Sequence, residues 1–176
     1  LWVTDEWNFD RFHANGPRLF QIMKRDFFAE GRVEVYPQGP GILIDALKGE
    51  VPEIEMGSQM SWDYRQVLTV GAETHQESGR FVQPDFLQMF SYPLIKGDPS
   101  TALAQTTGIV ISESLAQRYF KGEDPMGKLV KVRNKEEYIV TGIVKDVPRN
   151  SRFQFDYLLH WEIFLKQNDW ARSWDN

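Results

Sequence analysis

The sequence predicts an α+β fold, and three features of it carry that prediction. Thr107–Ile111 reads as a buried-type strand that runs straight into a helix capped by Ser112. Lys128–Arg133 and Glu137–Val144 read as the two strands of a hairpin joined through Asn134-Lys135. Elsewhere strand-like and helix-like stretches alternate, with no internal repeat and no low-complexity segment. The chain has 176 residues, 41% hydrophobic and 14% aromatic, which is enough apolar material for one domain or two small subdomains.

Taken in order, Asn8–Pro17 is expected to form a short helix, with Asn8 as cap, Phe9 and Phe12 three apart and Gly16-Pro17 as stop. Arg18–Phe28 reads as a strand, Ala29-Glu30-Gly31 as a turn, and Arg32–Tyr36 as the return strand, with Val33 and Val35 on one face. Pro40 opens a helix in which Leu43 and Leu47 lie four apart and Gly49 is the stop. Val51–Met56 then leads into another strand. Between Ser58 and Phe81 the pattern is strand and turn, clearest at Val67–Gly71, and Pro84–Phe90 is a short helix presenting Phe86, Leu87 and Phe90. Turn signals cluster at Gly97–Ser100. After Ser112, Leu115 and Tyr119 align four apart on a helix, and Gly122–Gly127 is a loop.

Composition narrows the function classes. Twenty-five acidic residues against 20 basic ones give a formal charge of -5 with no basic run, which disfavours nucleic acid as a partner. There is no cysteine, hence no disulfide framework, thiolate nucleophile or thiolate metal site, and either redox compartment is compatible. No stretch approaches the ~20 apolar residues of a membrane-spanning helix. The chain starts without methionine, so it is expected to be a piece of a larger protein.

Each motif with chemical potential also has a simpler role. Gly122-x-x-x-x-Gly127-Lys128 has the frame of a phosphate-binding loop, but Leu129 stands where the magnesium-binding hydroxyl belongs. The order helix–loop–strand is also the reverse of what such a loop requires, so the segment reads as a turn. His13, His75 and His160 are far apart and form no metal-binding pair. Asp10 and His13 are placed to make an ordinary helix-surface contact. Glu113 favours the positive end of its helix, and Ser112 and Ser114 have no histidine nearby in sequence. No residue is therefore assigned as catalytic, cofactor-binding or metal-ligating. Gly127 is expected to serve a turn and Gly142 a bulge or close approach within a strand. Trp170 and Trp174, four apart, need a surface to bury them.

An ordered set of phrases resembles the extracytoplasmic loop of MacB-like permeases, the family with an FtsX-like membrane core. It runs from Phe9-Asp10-Arg11-Phe12-His13-Ala14-Asn15 and Arg18-Leu19-Phe20, through Pro52-Glu53-Ile54-Glu55, to Phe90–Asp98 with Ala102-Leu103. Ile109–Ala116, Tyr119-Phe120, Asp124–Lys128, Tyr138–Pro148 and Asn150-Ser151 then follow in register. The resemblance implies a periplasmic core domain over residues 1–176, short of its C-terminal return to the membrane, with Leu1 near the bilayer. It implies a porter-like mixed α/β subdomain, roughly 1–60 and 100–160, and a smaller, mostly β inserted subdomain to which roughly 61–99 belong. The function it implies is non-enzymatic: coupling of cytoplasmic ATP hydrolysis to export or extraction of a substrate by mechanotransmission. The partners it implies are a second permease protomer, a cytoplasmic ABC ATPase reached through the membrane region, and a periplasmic adaptor or lipoprotein. The alternative is a module that captures a peptide, lipid or lipoprotein ligand outside the membrane, which an enclosed apolar pocket would mark.

Overall fold

The computed structural model describes residues 13–174, and among these it is α+β. The first element is a 3₁₀ turn, Gly16–Arg18, with Pro17 inside it, so Gly16-Pro17 opens a turn and does not stop a helix. The expected helix up to Phe12 lies outside the described residues. Next comes a hairpin of β1 (Lys24–Phe27) and β2 (Val33–Tyr36), joined by a 3₁₀ turn at Ala29–Gly31 in which Glu30 and Gly31 have φ of 65° and 76°. The strand expected from Arg18 is shorter than predicted, because Pro37 follows Tyr36 and leaves residues 20–23 without a ladder partner.

Helix α1 (Leu43–Glu50) follows, with Gly49 inside its last turn; Ile44, not the Leu43/Leu47 pair, is its buried residue. Residues 51–59 are irregular: Pro52 has no N–H to donate, and the chain meets the larger sheet at the Met60–Val82 bridge.

All other strands lie in one sheet: β3 (Tyr64–Val70), β4 (Glu73–Val82), β5 (Leu94–Lys96), β6 (Gly108–Ser112), β7 (Leu129–Val132), β8 (Glu136–Val144) and β9 (Tyr157–His160). Their order is β5-β8-β6-β9-β4-β3-β7, and β7 also pairs with β8, so the hydrogen-bonded order closes on itself with β5 as an outer flap. Residues 61–99 thus supply β3, β4 and β5 to the same sheet as residues 108–160. Three helices pack on this sheet or bridge its loops: α2 (Phe86–Met89), α3 (Glu113–Phe120) and α4 (Trp161–Gln167). As the sequence predicts, Ser112 Oγ accepts from the Leu115 amide at 3.2 Å and opens α3. The loop at Arg133-Asn134, both at positive φ, turns β7 into β8. Strand β9 and helix α4 are not foreseen by the sequence reading.

Alternation along β4, β6 and β9 fills two cores. Phe81, Ile109, Ile111, Tyr157 and Leu159 point to one with α3 and α4; Val82, Val110 and Leu158 point to the other with Phe86, Leu87, Tyr92 and Phe155. β6 is buried at every residue, the pattern of a strand covered on both faces.

Two glycines set the spacing. Gly79 faces Tyr157 in the parallel β4–β9 ladder, and a Cβ there would lie 2.1 Å from the Tyr157 ring, which passes over it to place its hydroxyl 3.1 Å from Gln66 Oε1 on β3. On β8 the register shifts by one residue between Val140 and Gly142, a bulge at Thr141 whose Oγ1 donates to Ala102 O at 2.6 Å. A Cβ on Gly142 would crowd Leu94, Ala102 and Val110 at 3.1–3.3 Å.

Gly79→Ala is expected to cost about 2–3 kcal/mol, since the ring must leave its seat, whereas Tyr157→Phe, which loses only the hydroxyl, costs about 1 kcal/mol. Gly142→Val should be at least as damaging as Gly79→Ala. Urea midpoints measure all three; a Gly79→Ala protein as stable as wild type would show that the ring has room to spare.

Candidate functional site

The Gly122–Lys128 segment is a turn in geometry as well as in sequence. It connects α3 to β7 through Lys121, at φ 50°, with Gly122 and Gly127 at φ 91° and 76°. Its amides serve the protein: Gly127 N donates to Val140 O at 2.9 Å and Met126 N to Asp124 Oδ1 at 3.1 Å. Lys128 Nζ is hydrogen-bonded to Glu123 and lies over the Phe120 ring, 5.6 Å from its centroid. That lysine holds the Glu123 carboxyl below its usual range, and Lys96, 3.0 Å from Asp124, does the same there. The Met126 and Gly127 amides and the lysine are thus already engaged, and the loop leads from a helix into a strand.

The three histidines are each held by a different partner. Buried His13 donates through Nδ1 to Phe90 O and lies edge-on to Phe90 and Tyr92; Asp10 is outside the described residues. His75 lies edge-on to Tyr119 and 3.5 Å from Glu73. His160 caps α4, its Nδ1 accepting from the Glu162 amide at 3.0 Å. Among the described residues no three His, Cys, Asp or Glu side chains converge as a metal site. Ser114 bonds to Asp146 through both its amide, at 2.9 Å, and its hydroxyl. Glu113 sits in the first turn of α3, as predicted.

A charged network that the sequence did not reveal joins α3 to β4. Glu77, buried in β4, accepts from Arg118 at 2.5 Å and from the Tyr119 hydroxyl at 3.2 Å. Burial, then Glu77, pushes the Tyr119 hydroxyl far up. Next to it, Lys121 bridges to Glu73 at 2.7 Å. These contacts fix a helix to a strand.

Two apolar surfaces stay accessible. Trp170, in a 3₁₀ turn at Asp169–Arg172, stacks on Trp62 with centroids 6.1 Å apart and planes 2° apart, and Phe164 meets both rings edge-on. Trp62 also stacks on Tyr64. Yet Trp62 is 54% exposed and Trp170 50%, and Trp174 stays exposed as well. The surface that the sequence demands for Trp170 is therefore a partial one, found at Trp62. Only the spacing of Trp62 and Tyr64, two apart at the start of β3, offered a signal for it.

The β1–β2 hairpin is the second such surface. Register places Arg25 and Phe27 beside Val35 and Val33 on one face, with Lys24, Asp26, Glu34 and Tyr36 on the other. Phe27 is 76% exposed, and Phe20, Ile22, Met23, Val33 and Val35 are exposed too. The predicted shared face of Val33 and Val35 thus exists but is uncovered. The hairpin is an arm whose roots are held by the main body: Trp161 Nε1 donates to Gly41 O at 2.9 Å, and Asn15 Nδ2 to Gln88 O and Met89 O at 3.1 Å.

The described residues thus form a closed sheet with an exposed two-stranded arm. The model of the MacB-like periplasmic core domain matches residues 1–175. The chain belongs to that family. Among solved structures, a domain assigned to a permease protein of Porphyromonas gingivalis is 25% identical with a TM-score of 0.68, over 82% of this chain and 61% of that one. The periplasmic region of MacB from Actinobacillus actinomycetemcomitans is 18% identical with a TM-score of 0.55, over 72% and 58%. The extracellular domain of the noncanonic ABC-type transporter YknZ from Gram-positive bacteria is 16% identical with a TM-score of 0.53, over 72% and 64%. The last two likenesses concern the fold. The chain spans about three fifths of the length of these structures. No curated protein matches it in sequence. Among the described residues no helix is long and apolar enough to cross a membrane, and the family itself is one of periplasmic domains.

Calorimetry with Mg-ATP is expected to give no saturable heat, with wild type and Lys128→Ala indistinguishable. Micromolar binding lost on Lys128→Ala would overturn the turn assignment.

Proposed function

We propose that this MacB-like domain is a non-enzymatic transmission and contact module on the outer side of an ABC-transporter permease, coupling cytoplasmic ATP hydrolysis to export or extraction of a substrate. Membership of the family carries this reading. The construction of the domain supports it: a sheet that closes on itself and is pinned to α3 by Glu77–Arg118 moves as one body, and a body of that kind transmits displacement without storing it. The exposed arm and the Trp62–Trp170 face are the surfaces for contacts that change between states. Their proposed partners are the second permease protomer and a periplasmic adaptor or lipoprotein, while the ATPase is reached through the membrane region. In this reading roughly residues 1–60 and 100–160 form the α/β subdomain expected for the family and roughly 61–99 part of its inserted β subdomain, with β3, β4 and β5 of the latter sharing one sheet with β6–β9.

Capture of a lipid or peptide is less well supported. The depression of about 380 Å³ beside the β3–β4 turn has its rim crossed by the Lys121–Glu73 and Lys128–Glu123 pairs, not the apolar enclosure that an acyl chain requires.

A module of this kind influences transport only through contacts that differ between two states. This chain has no cysteine of its own, so single cysteines at Phe27, Trp62 and Leu129, in the intact permease with any cysteine elsewhere replaced by serine, make this measurable. Thiol labelling at one or more of them should differ at least about fivefold between nucleotide-free and vanadate-trapped transporter, a coupling of about 1 kcal/mol. Equal rates at all three sites would contradict transmission.

A further inference from the structure

We infer that the junction of β9 and α4 is a pH-sensitive latch, in which protonation of His160 uncaps α4 and loosens the root of the β1–β2 arm. The inference rests on bonding that fixes a protonation state. A backbone amide can only donate, so the 3.0 Å contact from Glu162 N makes His160 Nδ1 an acceptor and leaves the ring neutral, with its proton on Nε2. Protonation would set N–H against N–H and place a positive charge at the positive end of a helix.

What the cap holds is the arm. The first residue of α4 is Trp161, whose Nε1 donates to Gly41 O; Gly41 packs so closely on the body that a Cβ there would lie 2.4 Å from Ala171 O and 2.9 Å from Leu165. One turn further on, Phe164 stacks on Trp161 with centroids 4.5 Å apart and meets Trp170. Loosening the first turn of α4 therefore reaches the arm root and the edge of the aromatic face together.

The charges around the ring leave it neutral at ordinary pH. On its own helix Glu162 favours the imidazolium and Lys166 opposes it, and Glu162 is already committed to Arg172 of the following 3₁₀ turn at 2.6 Å, where Asp169 is the other charge. On the β4 side His160 pairs in register with Val82, followed by Gln83, which is neutral and bonded to Asp45 of α1 at 3.0 Å. Burial is the largest influence and pushes the imidazole below its ordinary value. The cap's contribution is thus complete above the unfolded-state value of about 6.5 and is lost as pH falls through the lower folded-state value. If the domain faces the outside, as proposed above, it meets that range whenever the medium acidifies.

Hydrogen exchange on the 176-residue chain tests the latch without reference to transport. After correction for intrinsic rates, protection of the Glu162 and Ile163 amides should fall about five- to tenfold from pH 7.5 to pH 5, and the Trp161 indole N–H should lose protection with them. His160→Asn, a strong cap that does not titrate, should hold all three within about twofold across that range. If that variant does not fold, His160→Asp, whose carboxylate accepts the same bond, replaces it. An equal loss of protection in the variant, or an unchanged Trp161 indole in wild type, would overturn the inference.

Discussion

The ring of strands depends on a four-residue strand fitting between two others. β9 pairs antiparallel with β6 on one side and parallel with β4 on the other, and so joins the β5-β8-β6 half to the β4-β3-β7 half. Parallel pairing brings Tyr157 level with Gly79, and only the missing side chain of Gly79 gives the phenol a path to Gln66. The ring covers the glycine backbone, and its hydroxyl, buried with it, finds the acceptor that a buried donor needs. Burial pushes that hydroxyl well above the usual tyrosine range, so it stays a donor at any ordinary pH. From this fit follow the two cores, since Tyr157 and Leu159 feed one while Leu158 feeds the other.

Physical support in the molecule therefore falls into two tiers. Strand β6 is covered on both faces and β9 nearly so, and α3 is tied to β4 by an ion pair between half-exposed Arg118 and buried Glu77, whose loss would leave Glu77 uncompensated. The β1–β2 arm has two strands, one uncovered apolar face and support at its roots alone. An isolated hairpin is marginal in water, and a long apolar one is adhesive. The transmission module proposed above would use both: the body to carry displacement, and the arm as a contact element whose affinity stays latent until a partner is brought near.

Legibility in the sequence tracks how local the cause is. Ser112 with Leu115 and Tyr119, and the turn between β7 and β8, rest on neighbours within one element, and periodicity and turn chemistry suffice for them. Gly142 was readable as a bulge because it interrupts an otherwise unbroken apolar strand. β9 and α4 were not readable: Tyr157-Leu158-Leu159-His160-Trp161 is one apolar run that changes from strand to helix with no turn residue, and histidine is not a usual cap. Gly79 gave no signal because its reason, the Tyr157 ring, lies far along the chain. The same holds for Trp62 under Trp170, and for Glu77, one of 25 acidic residues until Arg118 and Tyr119 single it out. Trp170 and Trp174 were recognisable as needing cover, but periodicity does not say what covers them.

One inseparable sheet carries one weakly supported arm. Native-state hydrogen exchange over increasing denaturant tests this most directly, because it assigns each amide the free energy of the opening that exposes it. The amides of β3, β4, β6, β8 and β9 are expected to merge into a single isotherm at the global unfolding energy. Those of β1 and β2 should exchange through an opening at least about 2 kcal/mol cheaper that depends little on denaturant. A sheet whose β3–β4 half opens below the energy of β6 and β8, or an arm protected to the global limit, would contradict it.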